Sequence, residues 1–410
     1  MSSSSAVAPR APVRPEIQAL RAVAIGCVVL YHFWPAALPA GYVGVDVFFV
    51  VSGFLITGLL LRDAERFGRV RLREFYVRRV RRILPAALVV LTACAVATLL
   101  FVPRVEWRPF LQQVLSSALY VENWHLARDS QIPSRADLES TPVQHFWSLS
   151  VEEQFYLFWP LLIIGALWLA ARFGRTRPAM VAAVLGTATI ASFVHCVVLT
   201  GQDHNLAYFS TLSRAWEFGV GGLLALVPAV AGERLRRTRA LAAWLGLAGI
   251  AVAARTFTDH ALFPGAIALV PVLGTAAILW AGMPRAAVSL SPVAALRPVQ
   301  WFGDLSYSLY LWHWPIIMFT PYITGRPSQA PMMVLLLVLS IAVAAASRRW
   351  IEDPFRRSVP RERVRMPRAR RVGVASVAAL SAVVLLTSGV AGYTVEEPRG
   401  QHCRGADDGY

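Results

Sequence analysis

Lysine is absent from this sequence of 410 residues, so all 40 basic residues are arginine, and the formal net charge is +16. A strongly basic protein often binds nucleic acid through a continuous basic surface. Here the arginines lie in short segments between long apolar runs, which do not build such a surface. We therefore expect no nucleic-acid partner.

Charged residues are also few. They make up 16% of the chain, whereas a typical soluble domain has about 25%. Cysteine is equally sparse: Cys27, Cys94 and Cys196 lie inside apolar runs, Cys403 stands alone near the end, and no CxxC pair occurs. This distribution excludes a disulfide framework and a cysteine metal site. We expect no metal and no permanently bound cofactor.

Hydrophobic residues make up 56% of the sequence and are gathered into long runs. A run of roughly twenty residues is the length at which a helix crosses a bilayer. Backbone groups in lipid must be satisfied within the chain, so such runs form helices. The sequence predicts an all-α fold, a polytopic transmembrane helical bundle with a ten-span core and an eleventh span. The predicted spans are 17–37, 44–61, 83–102, 146–171, 179–199, 209–230, 240–256, 264–282, 303–323, 331–347 and 372–394.

Arginine is concentrated in the segments that these spans leave on one side of the membrane. Segment 62–82 holds nine arginines and segment 348–371 holds ten, whereas the opposite segments are far poorer in arginine. Arginine-rich segments stay in the cytoplasm, so we expect a multi-pass protein with a cytoplasmic N-terminus. The predicted division is a disordered cytoplasmic leader at 1–15, a transmembrane domain at 16–371, an extra span at 372–394 and a short extracytoplasmic tail at 395–410.

Arg21 and His32 lie inside the first predicted span, where ionisable side chains are costly and are functional candidates. Eleven residues at about 100° each return almost to the starting direction, so both side chains project from one face, roughly 16 Å apart along the axis. Arg21 lies at the cytoplasmic boundary, where it can bind phosphate, and His32 lies deeper. The alternative is a snorkelling arginine and an unrelated histidine satisfied by a neighbouring helix.

Asp46 is the ionisable residue of the segment GVDVFFVVSGFLI, which opens the second span. Its carboxylate can orient a histidine of a neighbouring helix, as in many catalytic pairs. The alternative is a cap at the start of the helix. In the same segment, Gly44 and Gly53 favour close helix packing.

Four arginines precede the third span in RRVRRILP, residues 78–85. They form either a simple positive-inside anchor or a clamp for a polyanion, because guanidinium groups pair well with phosphate. The sequence leaves both interpretations open.

Two adjacent carboxylates, Glu152 and Glu153, lie in HFWSLSVEEQFYLFWP, residues 145–160. Ser148, Glu152 and Tyr156 follow one another at intervals of four residues and share a helix face. Carboxylates beside an apolar zone need cationic partners or a bound proton. Either condition suits acid–base chemistry or substrate binding, and a purely structural role is the alternative.

Two later motifs carry charged pairs. Arg214 and Glu217 in SRAWEFGVGG are three residues apart, so they form an intrahelical ion pair that is either structural or catalytic. Glu352 and Asp353 in WIEDPFRR lie among arginines. A local salt-bridge cluster is the plain interpretation of that motif, and a functional carboxylate is the other.

The motif SYSLYLWHWP places Ser306, Tyr310 and His313 on one helix face. Trp312 and Trp314 flank the histidine, and tryptophan is typical of membrane boundaries. His313 is therefore either part of a polar face or a marker of the outer boundary.

Taken in chain order, these motifs resemble acyltransferase family 3, membrane proteins similar to bacterial polysaccharide O-acetyltransferases and macrolide acyltransferases. The resemblance covers about 17–357, nearly the whole apolar part of the chain. Seven elements in one order are more specific than any of them alone. They are Arg21-x10-His32, GVDVFFVVSGFLI, RRVRRILP, FWSLSVEEQFYLFWP, RAWEFGVGG, SYSLYLWHWPI and IEDPFR.

The resemblance implies transfer of an acyl group, commonly acetyl, from cytoplasmic acyl-CoA to a hydroxyl of a polysaccharide, glycolipid or macrolide-like acceptor. It also implies a place in the bacterial plasma membrane, among membrane lipids. In this family Arg21 and His32 are the essential pair of the first helix, and Arg78, Arg79 and Arg82 lie on the donor side.

Residue geometry and the resemblance together give a mechanistic expectation. Arg21 and the arginine cluster hold the donor phosphates. His32, oriented by Asp46, deprotonates the acceptor hydroxyl or briefly carries the acyl group. Glu152 and Glu153 are further catalytic candidates, and Ser306 and Glu352 match other motif positions.

Two alternatives stay open. Many spans with buried charges also suit a glycan or glycolipid transporter or flippase, although no internal repeat or broken-helix pattern is evident.

Many relatives with an eleventh span continue into an extracytoplasmic hydrolase-like domain, whereas this sequence ends at Tyr410. It is either a short form or a piece of a longer protein.

Overall fold

The structure is a computed structural model. It describes residues 14–356, except 133–139, 229–234, 259–260, 285, 287 and 327–328, and it also describes Ala382. Almost all of the predicted leader, nearly all of the predicted eleventh span and the whole predicted tail therefore lie outside the described residues. Those three predictions stay predictions.

The regular structure of the described residues is entirely helical, which agrees with the predicted fold class. Short 3₁₀ turns precede two of the α-helices, and a π-helical turn precedes the last one. The α-helices are α1 (Pro15–Phe33), α2 (Gly44–Phe67), α3 (Leu72–Phe101), α4 (Arg104–Ala118), α5 (Glu122–Ser130), α6 (Phe146–Arg172), α7 (Arg177–Gln202), α8 (His204–Phe209), α9 (Thr211–Leu224), α10 (Arg236–Thr256), α11 (Leu269–Ala281), α12 (Ser291–Ala294), α13 (Arg297–Thr324), α14 (Ala330–Ser347) and α15 (Asp353–Arg356).

Six helical segments of the described chain are long and apolar enough to cross a membrane. They contain α1, α2, α3, α6, α7 and α14. Four of the other predicted spans correspond to α9, α10, α11 and α13, of which α9 has only 14 residues and α11 only 13. The protein is thus a helical bundle with several membrane-spanning candidates, and the full count of ten or eleven spans stays a prediction.

Two predicted loops are largely helical in the structure. Residues 72–82 form the first turns of α3, so the arginine cluster lies on a helix that continues into the third span. Residues 104–130 form α4 and α5, which are separated at Tyr120, a residue with a φ of 55°. The left-handed backbone of Tyr120 ends the helical path between α4 and α5.

Helices α1 and α13 run parallel and pack extensively against each other. Near their starts, the Gln18 amide donates to Asp304 Oδ1 at 2.7 Å, and the backbone of Gln18 lies against Gly303. Farther along, the ring of His32 meets the ring of His313. This parallel pairing brings the polar face of α1 against the polar face of α13 from Gln18–Asp304 to His32–His313.

Helix α2 lies at the centre of the bundle and contacts α1, α6, α9 and α11. Its approach to α9 depends on two glycines. A methyl group placed on Gly53 would lie 2.0 Å from the carbonyl oxygen of Phe218, and one on Gly221 would lie 2.0 Å from that of Val50. Small residues let helix backbones come this close, so the packing roles predicted for Gly53 and, against α1, for Gly44 are confirmed.

We expect Gly53→Ala to lower the melting temperature of the purified protein, because overpacking a close contact costs about 1–3 kcal/mol. The matched control is Gly186→Ala in α7, where a methyl group meets no atom within 4 Å. That variant should melt at the wild-type temperature or slightly above it, since alanine favours helix over glycine. Equal melting temperatures for the two variants would contradict the close packing of α2 on α9.

Candidate active site

Arg21 lies in the interface between α1 and α13. Its Nη2 donates to Ser306 Oγ at 2.8 Å, and its Nη1 donates to Gln18 Oε1 at 3.0 Å. The side chain is buried, with 8% of the residue exposed. The snorkelling alternative is therefore wrong, because the guanidinium points into the bundle and contacts a second helix.

His32 lies in the same interface, toward the other end of α1. Its Nδ1 lies 2.9 Å from Nε2 of His313, and the two ring planes are 20° apart with their centroids separated by 5.1 Å. Since Arg21 and His32 both contact α13, the predicted shared face of α1 is confirmed. His313 is fully buried, so the alternative that it only marks the membrane boundary is wrong.

Asp46 does not orient His32, which corrects the sequence prediction. Its Oδ1 lies 3.3 Å from Nη2 of Arg214, and Nη1 of Arg214 lies 3.0 Å from Oε1 of Glu217. All three residues are completely buried. The arginine of α9 captures the carboxylate because an unpaired charge is far more costly in the interior than a paired one.

The Asp46–Arg214–Glu217 triad lies behind the site rather than in it. The Arg214 guanidinium lies 5.3 Å from the ring centroid of Phe263 and 5.7 Å from that of Tyr208, and both rings line a cavity described below. None of the three charged residues lines either of the two cavities that are described below. The arrangement favours a structural role for the triad. Its arginine lies against the rings of Tyr208 and Phe263, which form an aromatic wall of the cavity.

One cavity, of about 100 Å³, opens among α1, α2, α3, α6 and α13. We name it the arginine cavity, because three arginines contribute to a lining that also contains hydroxyl groups and two carboxylates. The polar lining residues are Arg21, Ser52, Arg79, Arg82, Ser148, Glu152, Glu153, Tyr156, Ser306, Tyr307 and Tyr310.

The arginine cluster of α3 divides between this cavity and the surface. Arg79 and Arg82, three residues apart on the helix, both line the arginine cavity. Arg78 does not line it: it is exposed, with Nη1 3.7 Å from a carboxylate oxygen of Glu74. The sequence prediction grouped Arg78 with its neighbours, but a rotation of about 100° per residue turns it to another side of the helix from the cavity.

Glu152 organises one wall of the arginine cavity. Its Oε1 accepts a hydrogen bond from Ser52 Oγ at 2.7 Å and another from the Tyr156 hydroxyl. Ser148, Glu152 and Tyr156 all line this cavity, so their predicted common face is confirmed. Glu153 also lines it, so the two adjacent carboxylates face the three arginines.

A second cavity, of about 400 Å³, lies around His32, and we name it the histidine cavity. Aromatic rings and hydrogen-bonding groups dominate its lining. These residues are Tyr31, His32, Tyr42, Ser140, Gln144, His145, Trp147, His204, Asn205, Tyr208, Phe209, Thr258, Phe263, Tyr310 and Trp314. Tyr208 belongs to the short helix α8, and burial raises the pKa of its phenol well above the ordinary range, so it presents a neutral hydroxyl.

The two cavities share Val45 and Tyr310 as lining residues. The Tyr310 hydroxyl donates to the carbonyl oxygen of His145 at 2.8 Å and lies 2.5 Å from Ser148 Oγ. These contacts hold the Tyr310 ring between the cavities. Arg21, in one cavity, and His32, in the other, therefore face adjoining spaces within the bundle.

Glu352 lies outside both cavities. Its Oε2 accepts from Ser308 Oγ at 3.0 Å, and its Oε1 lies 3.4 Å from Nη1 of Arg356. The residue is buried at the junction of α13 with the π-helical turn. The local salt-bridge interpretation thus fits Glu352 better than a direct role in the site.

Residues 14–349 match the acyltransferase domain of acyltransferase family 3. The chain belongs to this family. The match covers most of the sequence and includes α1, α2, α3, α6 and α13, which line the arginine cavity. No solved structure matches the chain.

Several bacterial O-acetyltransferases are similar to the chain. The peptidoglycan O-acetyltransferase OatA of Listeria monocytogenes is 28% identical over 355 residues, 84% of this chain and 56% of that protein. The putative peptidoglycan O-acetyltransferase YrhL of Bacillus subtilis is 32% identical over 356 residues, 83% of this chain and 55% of its own length. The O-acetyltransferase OatA of Staphylococcus aureus is 31% identical over 359 residues, which are 84% of this chain and 57% of that protein. The chain thus spans little more than half the length of these relatives.

Sequence reasoning missed several residues of this acyltransferase-family site. His145 is the first residue of the motif HFWSLSVEEQFYLFWP, yet only the fold brings it beside Tyr310 and His313. Tyr208 and Trp147 reach the same cavity from different helices. Their one sequence signal is aromatic character, and aromatic residues also serve in membrane cores and boundaries.

We expect Arg214→Gln to destabilise the protein strongly, because removing one partner of a buried ion pair costs about 3–5 kcal/mol. Asp46 and Glu217 would be left buried without their cation. The matched control is Arg78→Gln, which breaks an exposed pair of a kind that contributes about 0–1 kcal/mol. Thermal unfolding of both proteins in one detergent measures the difference, and similar melting temperatures would refute the structural role of the triad.

Proposed function

We propose that this protein is an integral-membrane O-acyltransferase that moves an acyl group, most simply acetyl, from acyl-CoA to a hydroxyl of an acceptor. The observation that carries the proposal is the pair of adjoining cavities. Arginines line one, His32 lines the other, and Val45 and Tyr310 separate them. A thioester donor with anionic phosphates at its far end fits this order of groups.

The donor is assigned to the arginine cavity. Arg21, Arg79 and Arg82 supply guanidinium groups for the phosphates of coenzyme A, since arginine binds phosphate through paired charge-assisted hydrogen bonds. In this proposal the uncharged arm that carries the thioester lies along the apolar stretch of the lining, which includes Phe48. The acyl end then reaches the constriction at Tyr310.

The acceptor is assigned to the histidine cavity. Its aromatic rings and hydrogen-bonding groups suit an amphipathic, hydroxyl-bearing molecule such as a carbohydrate. Two relatives are named as established or putative peptidoglycan O-acetyltransferases, which favours a cell-envelope glycan over a macrolide-like acceptor. A polysaccharide or a glycolipid meets the same chemical requirement.

In the proposed reaction His32 acts on the acceptor hydroxyl. The imidazole removes the proton of the acceptor hydroxyl, and the oxygen attacks the thioester carbonyl carbon. The C–S bond breaks, the acceptor becomes an ester, and the coenzyme thiolate recovers the proton. Direct transfer needs no other reactant, and an acyl group held briefly on His32 would give the same products.

The orientation is part of the proposal. Arg79 and Arg82, which line the arginine cavity, belong to the arginine-rich segment 62–82, and the positive-inside rule assigns that segment to the cytoplasm. The histidine cavity then faces the outside of a bacterial plasma membrane. Donor and acceptor would thus reach the site from opposite sides of the bilayer.

The two adjoining cavities also suit a second function, a glycan or glycolipid transporter. Labelled acetyl-CoA distinguishes the two in proteoliposomes that contain a cell-wall glycan acceptor. An acyltransferase releases free thiol and labels the acceptor. A transporter moves the glycan without consuming acetyl-CoA.

We expect His32→Ala to abolish acetyl transfer in this assay while the protein still inserts into membranes. A positioned general base contributes about 10²–10⁴-fold to a rate, so residual transfer should fall by at least that factor. The matched control is His195→Ala on α7, because His195 is exposed and lines neither cavity. Transfer at the wild-type rate by His32→Ala would refute the proposed chemistry.

The donor assignment has its own test in the arginine cluster. Replacing Arg79 and Arg82 together with alanine should raise the KM for acetyl-CoA at least tenfold, since each charge-assisted hydrogen bond contributes about 1.5–3 kcal/mol. Replacing Arg78 and Arg81 together removes the same charge from exposed positions of the same helix. This control should leave the KM unchanged, and equal KM values for the two double variants would contradict the assignment.

A further inference from the structure

We infer that His313 is a positioning residue that fixes the tautomer of His32, so that Nε2 of His32 is the nitrogen that accepts the proton. The inference rests on the proposed function for the use of that nitrogen. The tautomer itself follows from hydrogen-bond geometry. The sequence predicted His313 either as part of a polar helix face with Ser306 and Tyr310 or as a marker of the outer membrane boundary.

The first step is the proton of His313. Its Nδ1 lies 3.0 Å from the carbonyl oxygen of Leu309, four residues earlier on α13. A carbonyl oxygen can only accept a hydrogen bond, so the Nδ1 of His313 carries a hydrogen and donates it. The partner belongs to the same helix, which fixes the orientation of the ring.

The second step is the charge of His313. The residue is fully buried, and within the described chain no carboxylate lies at ion-pair distance from His313 or His32. An unpaired imidazolium in such surroundings is costly. His313 is therefore neutral, its single ring proton is on Nδ1, and its Nε2 presents a lone pair.

The third step transfers this constraint to His32. Its Nδ1 lies 2.9 Å from the Nε2 of His313, a hydrogen-bond distance. Because that Nε2 is an acceptor, the Nδ1 of His32 must be the donor. The remaining nitrogen of His32, Nε2, then carries the lone pair, and His32 lines the histidine cavity, where the acceptor hydroxyl is expected.

Neighbouring rings hold this arrangement in place. The His32 ring lies between His313, whose ring is nearly parallel at an interplanar angle of 20°, and Trp314, whose ring centroid is 4.4 Å away. The Trp314 indole in turn donates to the carbonyl oxygen of Thr141 at 2.8 Å. Both contacts come from consecutive residues of α13, so the helix that fixes the tautomer also fixes the plane of the base.

The arrangement also serves the reaction step. When Nε2 of His32 accepts the proton of the hydroxyl, the ring becomes an imidazolium. Its Nδ1–H already points at the lone pair of His313, so the new charge forms next to an oriented acceptor and no group has to move. His313 touches neither reacting atom, which is why it positions the base rather than acting as one.

Three substitutions at position 313 separate this role from simple packing. The amide of Gln reaches as far as the Nε2 of histidine and offers an oxygen acceptor to His32. The shorter amide of Asn reaches only the place of Nδ1, so it replaces the contact with Leu309 but not the one with His32. Leu fills the space and replaces neither contact.

We expect His313→Gln to keep kcat within about tenfold of wild type, while His313→Asn and His313→Leu lose about 100-fold or more, the lower range for loss of a positioned base. The KM for acetyl-CoA should not change in any of the three, because the arginine cavity is untouched. Equal kcat for His313→Asn and wild type, or equal loss in the Gln and Asn variants with wild-type melting temperatures, would overturn the inference.

Nitrogen-15 NMR of histidine-labelled protein in lipid tests the tautomer without any activity. The chain has eight histidines, and the His32 signals are those that disappear in His32→Asn. In wild type we expect the Nδ1–H form of His32, and in His313→Leu we expect that preference to be lost. An Nε2–H form in the wild-type protein would overturn the inference.

The two measurements also separate this inference from the proposed function. If wild-type protein transfers no acetyl group but shows the Nδ1–H form that depends on His313, the function is wrong and the positioning role stands. If wild-type protein is active but position 313 affects neither the tautomer nor kcat selectively, the positioning role is wrong and the function stands.

Discussion

The polar faces of the parallel helices α1 and α13 meet inside an apolar bundle, and the rest of the site depends on that contact. Arg21 donates to Ser306 near one end, and His32 meets His313 toward the other. Lipid offers these side chains no hydrogen bonds, so pairing them across one interface is the stable solution. The two contacts fix the direction of α1 relative to α13 and determine which space each ionisable group faces.

Several charged residues of the other helices are also paired or face a cavity. Arg214 and its two carboxylates form a closed group that is buried behind an aromatic wall. Arg79 and Arg82 instead face an open cavity opposite Glu152 and Glu153. Charges that are sealed in the core depend on one another, because the loss of one partner leaves a buried charge unpaired, whereas charges that line a cavity remain available to a polyanionic ligand. The difference distinguishes structural arginines from candidate ligand-binding arginines in a chain that contains no lysine.

The helical class, the common face of Arg21 and His32, and the common face of Ser148, Glu152 and Tyr156 were predictable because each depends only on local periodicity. The partner of Asp46 was not predictable from the sequence. Both His32 on α1 and Arg214 on α9 were available as partners, and only the fold shows that Arg214 is the one in contact. The same holds for the arginine cluster. Four guanidinium groups within five residues look alike in sequence, but Arg79 and Arg82 face a cavity while Arg78 faces outward.

The sequence by itself determined that the chain forms apolar helices, that its ionisable residues interrupt those helices at a few positions, and that the motifs belong to one acyltransferase family. The first two features follow from helix periodicity and from the cost of placing polar groups in lipid, which both act along a single helix. The family follows from the resemblance of the motifs. Only the tertiary structure decided that two cavities adjoin at Tyr310, that His313 is the neighbour of His32, and that the Asp46–Arg214–Glu217 triad lies outside both cavities. Those features depend on which helix faces meet, and that is set by contacts between residues far apart in the chain, such as Gly53 against Phe218.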